Sequence, residues 1–271
     1  MKKIKIQKYS NQYYTRWNDL VENSNNGTLF QSLDFLSYHD NKFSDQENNL
    51  IFLKGEALIA VLPAIKINKK LVSPFGASFG GIVTAKKISL NESEQIIESF
   101  VDYLRSNDFE SCTLILTPSH ICKSLNGNLE YSLLRRGFRI LSSDLFNAIE
   151  LPKSYKEVWE EKYLSRNRNT IRKSSDNFEI IPNCSVQEFY SILLEDKKRH
   201  NAKPTHSMNE LKKLKGKYPD YIWFDVGVSG NKESVAICYF KLNQKAVMTF
   251  YMAQTDSALG KNGKNILVDF G

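Results

Sequence analysis

Between Tyr163 and Leu214 the chain gathers the side chains best suited to binding an anion and moving a proton. Arg166, Arg168, Arg172 and Lys173 place four cations within eight residues. Guanidinium groups present rigid forks of N–H donors that match phosphate or carboxylate oxygens two at a time. Arg168 and Arg172 are four apart, so on a helix they share a face. The same spacing also suits a solvated basic helix paired with Glu160 and Glu161. Two of the four histidines, His200 and His206, follow within seven residues. Imidazole titrates near neutral pH, which makes either a candidate general base. His200 ends a run of Lys197, Lys198 and Arg199, and a cation at a helix C-terminus has a purely structural explanation as well. His206 lies in the loop Pro204-Thr-His-Ser207, where it either faces a cleft or is held by hydrogen bonds. His39 and His120 have weaker contexts and read as structural.

Two glycine-bearing stretches also invite a chemical interpretation. Gly76–Gly81 lacks the Lys-Ser or Lys-Thr of a phosphate-binding P-loop, and Phe75 and Phe79 suggest a turn packed on the core. Gly260-Lys-Asn-Gly263-Lys-Asn265 leads into Ile266, Leu267 and Phe270. Glycines that open a helix after a strand can cradle a pyrophosphate on free backbone amides, though a polar capping loop has the same composition. The four cysteines show no metal-binding or disulfide spacing.

These groups must be positioned by a recognisable set of elements. In the first half, strands are predicted at Ile4–Gln7, Asn49–Leu53, Ala57–Ile67 and Cys112–Leu116, the last one buried. Helices are predicted over Tyr13–Val21, Glu92–Leu104 and Leu129–Arg136, the last stopped by Gly137. Phe138–Leu151 reads as a long extended segment. Leu151–Ser154 marks a boundary, which gives units of 1–150 and 151–271. Ser154, Ser185 and Ser207 are candidate helix N-caps, and Ser207 with Glu210 has capping-box spacing. Three strands, Tyr221–Val228, Ser234–Leu242 and Ala246–Gln254, then lead to an apolar C-terminal helix with Ile266, Leu267 and Phe270 facing inward. Helices mixed with largely antiparallel strands in each half define an α+β class.

The 271 residues carry a net charge of +7. Residues 1–150 hold 17 Lys+Arg against 16 Asp+Glu, and residues 151–271 hold 20 against 14. The basic excess therefore lies in the second half, where it favours an acidic partner such as a phosphate-bearing donor or RNA, or simply solvates a lysine-rich surface. No segment approaches the roughly 18 apolar residues of a membrane span, and the first residues lack the apolar core of a signal peptide. The expected location is cytoplasmic.

Taken in order along the chain, several segments resemble the FemAB-like branch of the GNAT acyltransferase superfamily. They are Phe30-Gln-Ser-Leu-Asp-Phe-Leu36 with Tyr38-His39, Leu62-Pro-Ala64, Gly76-Ala-Ser-Phe-Gly-Gly81, Arg166-Asn-Arg-Asn-Thr-Ile-Arg-Lys173, the stretch from Arg199-His200 to Glu210-Leu211, and Phe250-Tyr-Met-Ala253. The resemblance implies two tandem GNAT-like units with mainly antiparallel mixed sheets, the first degenerate and the second carrying the donor site. It implies transfer of an acetyl or aminoacyl group to an amine of a cell-envelope or polysaccharide precursor, including lipid-linked sugars. The donor would be acetyl-CoA or another acyl-CoA, or aminoacyl-tRNA, with no metal. The family's pyrophosphate loop reads Gln/Arg-x-x-Gly-x-Gly/Ala, of which only the middle glycine, Gly263, is matched here. The stop at Gly271 implies a second unit that is incomplete at its C-terminus.

On this resemblance, His200 or His206 would accept the amine's proton and Tyr251 would offer its hydroxyl to the leaving group. Arg166, Arg168 and Arg172 would hold the acceptor's phosphate, and Gly260 and Gly263 would hold the donor. These groups would line a cleft between the two units. A non-catalytic GNAT-like binding protein and an RNA-binding protein are the competing expectations.

Overall fold

A computed structural model describes residues 3–40, 42–85, 88–152, 154–230 and 233–271. The chain separates into two compact units, Met1–Phe146 with Leu242–Ala246, and Asn147–Lys241 with Val247–Gly271. Both mix helices with mainly antiparallel sheets, so the α+β class holds. Lys153, inside the expected boundary, lies outside the described residues.

The first unit runs β1 (Ile4–Lys8), α1 (Tyr14–Asn23), α2 (Leu33–Leu36), β2 (Leu50–Lys54), β3 (Ala57–Leu62), β4 (Ile65–Ile67), β5 (Lys70–Ser73), β6 (Val83–Thr84), α3 (Leu90–Ser106), β7 (Ser111–Leu114) and α4 (Asn128–Arg135). Its strands form two sheets, β1-β2-β3-β6 and β4-β5-β7. The strand expected over 57–67 is broken at Pro63-Ala64, because proline has no N–H to give a ladder. The pairing of β5 with β7 is parallel and the other pairings are antiparallel.

The apolar run Leu50–Leu53 is explained by burial on both faces. Leu50 and Phe52 join Ile97 and Phe100 of α3 in one cluster, whereas Ile51 and Leu53 join Trp17 and Val21 of α1 in another. β7 is only half-buried, not the buried strand expected. Gly137 ends α4 with φ +90°, as its position in the sequence suggests.

Residues 138–151 enter no strand. Leu141 and Leu145 there are 81% and 92% exposed, so the extended segment expected from sequence lacks a ladder partner among the described residues.

The second unit continues with α5 (Tyr155–Glu157), which passes straight into a π-helical turn at Val158–Lys162, then α6 (Ser165–Ser175), β8 (Glu179–Ile181), α7 (Val186–Arg199), α8 (Met208–Lys217), β9 (Ile222–Val228), β10 (Ser234–Lys241), β11 (Val247–Gln254) and α9 (Gly263–Phe270). One antiparallel sheet has the order β11-β10-β9-β8. Between Cys238/Tyr251 and Tyr239/Thr249 the register shifts, so Phe250 is the extra residue of a β-bulge in β11. Val235, Ile237 and Tyr239 of β10 pack with Phe178, Ile266 and Leu267. Phe270, expected to face inward with them, is 52% exposed.

Capping sets several helix starts. Ser89, Ser185 and Ser207 accept the N–H groups of Glu92, Glu188 and Glu210, and each glutamate carboxylate accepts its serine's N–H in return. Cys112, Cys122, Cys184 and Cys238 are all free thiols. Burial pushes Cys112 and Cys184 up to about 12 and Cys238 well above the ordinary thiol value.

One glycine in the first unit is fixed by its surroundings. Gly76 has φ +59°, and a Cβ there would stand 1.7 Å from His39 Nε2. That imidazole nitrogen lies 3.0 Å from the Gly76 carbonyl oxygen. Gly76→Ala should cost at least about 2 kcal/mol, because strain and collision act together. A urea midpoint within error of the parent's would contradict this packing.

Candidate functional site

The residues given catalytic, acceptor-binding or donor-binding roles from sequence all lie in the second unit, whereas the Gly76–Gly81 stretch lies in the first. The loop after α7 brings two of them together. Ser207 caps α8, and this fixes the residue before it, His206. Phe250 bulges out of β11, and its neighbour Tyr251 turns into the unit and is buried. His206 Nδ1 is 2.8 Å from the Tyr251 hydroxyl, which also accepts the His206 backbone N–H at 3.3 Å. Tyr190 of α7 donates to the His206 carbonyl oxygen at 3.3 Å. The imidazole is 4% exposed and lies edge-on to Phe240 and Phe250. Burial raises the Tyr251 hydroxyl above its ordinary value, against hydrogen bonds from Thr205 and the His206 amide that lower it. The pair is thus a protonated phenol sharing a hydrogen bond with a buried imidazole. His200, by contrast, is the exposed C-cap of α7.

The three arginines part company. Arg168 turns back on the π-helical turn, where its Nη1 donates to the carbonyl oxygens of Trp159, Glu160 and Tyr163 at 3.0, 3.1 and 3.1 Å. A π-helical turn leaves carbonyls unmatched at its end, and one guanidinium satisfies three of them. Arg172 stacks over Trp159 at 5.4 Å from the ring centroid. Arg166 is exposed. The sequence places these residues on one helix but gives no sign that one of them is committed to backbone.

The junction from β11 to α9 holds the two expected glycines. Gly260 takes φ +76° with open space around its missing Cβ. At Gly263 a Cβ would meet Phe178 at 2.8 Å and Val235 at 2.9 Å, so α9 begins where only glycine fits. Asn262, in the left-handed region, gives no side-chain cap, and the first turn carries no acid. The N–H groups of Gly263 and Lys264 occupy positions that have no acceptor within the helix. The Ser174 hydroxyl of α6, 3.0 Å from the Thr170 carbonyl oxygen, also lies 3.4 and 3.3 Å from the Lys261 and Asn262 carbonyl oxygens.

The start of this junction is held by a charge network that reaches from α7 to the loop after β11. Arg199 pairs with Asp196 and, at 2.8 Å, with Asp256, and Asp196 also accepts the Gln254 N–H at 3.3 Å. Glu195 accepts the Asp256 N–H at 2.7 Å. Asp196 and Arg199 are three residues apart on α7, but the other partners are separated by 57 to 61 residues, which only the fold closes. Asp269 of α9 likewise accepts from Tyr155 at 2.9 Å, and burial pushes its carboxyl above the usual range. Among the described residues no group of three or more His, Cys, Asp or Glu is placed to hold a metal ion. Nor is any described helix long and apolar enough to cross a membrane.

Comparison with known proteins gives little company. No family model matches the chain, and no curated protein does. A mutant of TTHA1254 from Thermus thermophilus aligns over 55% of this chain and 98% of its own, with 14% identity and a TM-score of 0.34. A conserved Enterococcus faecalis protein of unknown function, described as a probable N-acyltransferase, aligns over the whole chain with 12% identity and a TM-score of 0.39. The chain spans 62% of that protein's length.

Two measurements probe this geometry. Tyr251→Phe removes the acceptor of the His206 amide and the partner of Nδ1, and should lower stability by about 1–3 kcal/mol in thermal or urea unfolding. Asp225 of β9 is 3% exposed, and burial raises its carboxyl against the opposing pull of the Asn183 amide and Lys215. The folded state therefore keeps this proton to higher pH than the unfolded chain, whose carboxyl titrates near 3.9. Its favourable contribution is complete below that value and is lost as pH rises through the folded pKa. Asp225→Asn should gain stability relative to the parent as pH is raised from about 4 to about 7. A difference that stays flat across a urea series at those pH values would contradict the assignment.

Proposed function

We propose that this chain is a GNAT-type N-acyltransferase of the FemAB-like kind, built from two tandem GNAT-like units with the donor site in the second. The donor is acetyl-CoA or another acyl-CoA, and the acceptor is an amine on a cell-envelope or polysaccharide precursor. Aminoacyl-tRNA is the alternative donor chemistry. The working location is the cytoplasm.

The observation that carries this proposal is the contrast between two helices that each follow a strand. The N-terminus of α3 is filled by its own Glu92 carboxylate, which accepts the Ser89 N–H at 3.0 Å and would repel a phosphate. The N-terminus of α9 has no acidic cap, opens on Gly263, and is flanked by Lys261 and Lys264. Helix N-termini carry a partial positive charge and free amides, so only α9 is suited to a pyrophosphate. The first unit is then the degenerate one.

The proposed chemistry is addition and elimination at the donor's carbonyl. The acceptor nitrogen bonds to the carbonyl carbon and the donor's thiolate departs. Tyr251, kept protonated by burial, gives that thiolate its proton. His206, hydrogen-bonded to the phenol, returns a proton taken from the ammonium formed on the acceptor. Backbone amides near the Phe250 bulge stabilise the oxyanion. Arg166 and Arg172 are exposed for an anionic acceptor, and His200 is an exposed second base. Arg168 shapes the turn next to them.

Incubation with acetyl-CoA, or with charged tRNA, and an amino-sugar phosphate, read by mass spectrometry, tests the reaction. Lys264→Glu puts an acid into the first turn of α9 and should weaken CoA binding by about tenfold, or ~1.4 kcal/mol. Unchanged affinity would remove the junction from the site. A second proposal rests on Arg172 stacked over Trp159 amid the exposed Lys156, Lys162 and Arg166, a surface suited to RNA without catalysis. RNA affinity that falls steeply with salt, together with no transfer to any amine, would favour it.

A further inference from the structure

The first unit contains a cavity of about 320 Å³ that the acyl-transfer proposal does not use. This is at the lower end of the roughly 300–1,000 Å³ typical of small-molecule sites. Its walls are aliphatic and come from separate elements: Ile4 of β1, Leu20 of α1, Ile59 of β3, and Ile96 of α3, with Ala85 and Ile88 from the loop before α3. Apolar walls of this kind favour an apolar occupant over water.

Among the described residues the polar groups are few, and their signs oppose each other. Glu92 and Lys54 both line the cavity, and the Lys54 charge helps hold the Glu92 carboxyl below its usual range. Glu92 is fixed as an anion by its two bonds to Ser89, at 3.0 and 2.9 Å. A ligand carboxylate would meet Glu92 as well as Lys54, and a ligand ammonium Lys54 as well as Glu92, so neither charge gains a net partner that an uncharged polar end would lack. Among the described residues, the carboxamides of Asn23 and Gln95 complete the set. Asn23 Nδ2 is committed to the Asp19 carbonyl, whereas Gln95 makes no side-chain hydrogen bond among the described residues. A primary amide can both donate to and accept from such a group.

We propose that this cavity binds an uncharged amphiphile, an aliphatic chain with a terminal amide or hydroxyl. A water molecule's share of liquid volume is about 30 Å³, so the space suits on the order of ten non-hydrogen atoms. The inference is independent of the acyl-transfer proposal, since it involves only first-unit residues.

Octanamide is the probe, added to the whole protein and followed by amide chemical shifts and calorimetry. Saturable binding is expected, with octanoate and octylamine at least fivefold weaker. Ala85 is exposed at the cavity's edge, so Ala85→Phe should fill it and weaken octanamide at least tenfold without altering thermal unfolding. Should that variant unfold, Gln95→Leu serves in its place, with the same loss expected. Glu92→Gln should remove the discrimination against octanoate. Absence of saturable octanamide binding, equal binding of the charged analogues, or indifference to the cavity-filling variant would each overturn the proposal.

Discussion

Where α9 meets the sheet there is no room for a side chain, and the arrangement of the second unit's junction follows from that exclusion. Phe178 and Val235 occupy the space a Cβ on Gly263 would need. The helix axis is therefore drawn onto β10, and Ile266 and Leu267 become buried one turn later. A loop pinned at its far end by this contact and at its near end by the Arg199 carboxylate network has little conformational freedom left. Its backbone amides are held in one arrangement.

The two units show how one strand–helix arrangement takes opposite electrostatic characters. A single Ser-x-x-Glu sequence closes the start of α3 with a carboxylate, and the same device closes α7 and α8. Each box satisfies two orphan N–H groups internally. α9 forgoes that stabilisation, and its burial is what compensates. Eight residues would be marginal as an isolated helix, but contact with Phe178 and Tyr239 replaces the missing local support. Tyr239 also donates to the Leu267 carbonyl at 2.7 Å.

Much of this was legible in the sequence because it is local. The serine caps, the Gly137 stop, the three-strand meander from Ile222 to Gln254 and the α+β class all follow from spacing over a few residues. The break at Pro63 is equally local, yet the apolar continuity of Ala57–Ile67 masks it. Long-range closure was not legible. Asp196, Arg199 and Asp256 look like ordinary surface charges until the fold joins them. Arg168 looks like an anion ligand until a π-helical turn presents it with three carbonyls. His206 and Tyr251 each stand out in the sequence, but their contact, next to the bulge at Phe250, is a product of the fold.

The thiols bear on how the molecule meets electrophiles and oxidants. Thiolate, not thiol, is the reactive form. With Cys112 and Cys184 pushed to about 12 and Cys238 well above the ordinary thiol value, almost none of these sulfurs is ionised at neutral pH. None can be drawn readily into sulfenic acid or a mixed disulfide while the fold holds, since both begin from the anion. These cysteines act as small hydrophobes. Their alkylation rate would therefore report the opening of the core around them.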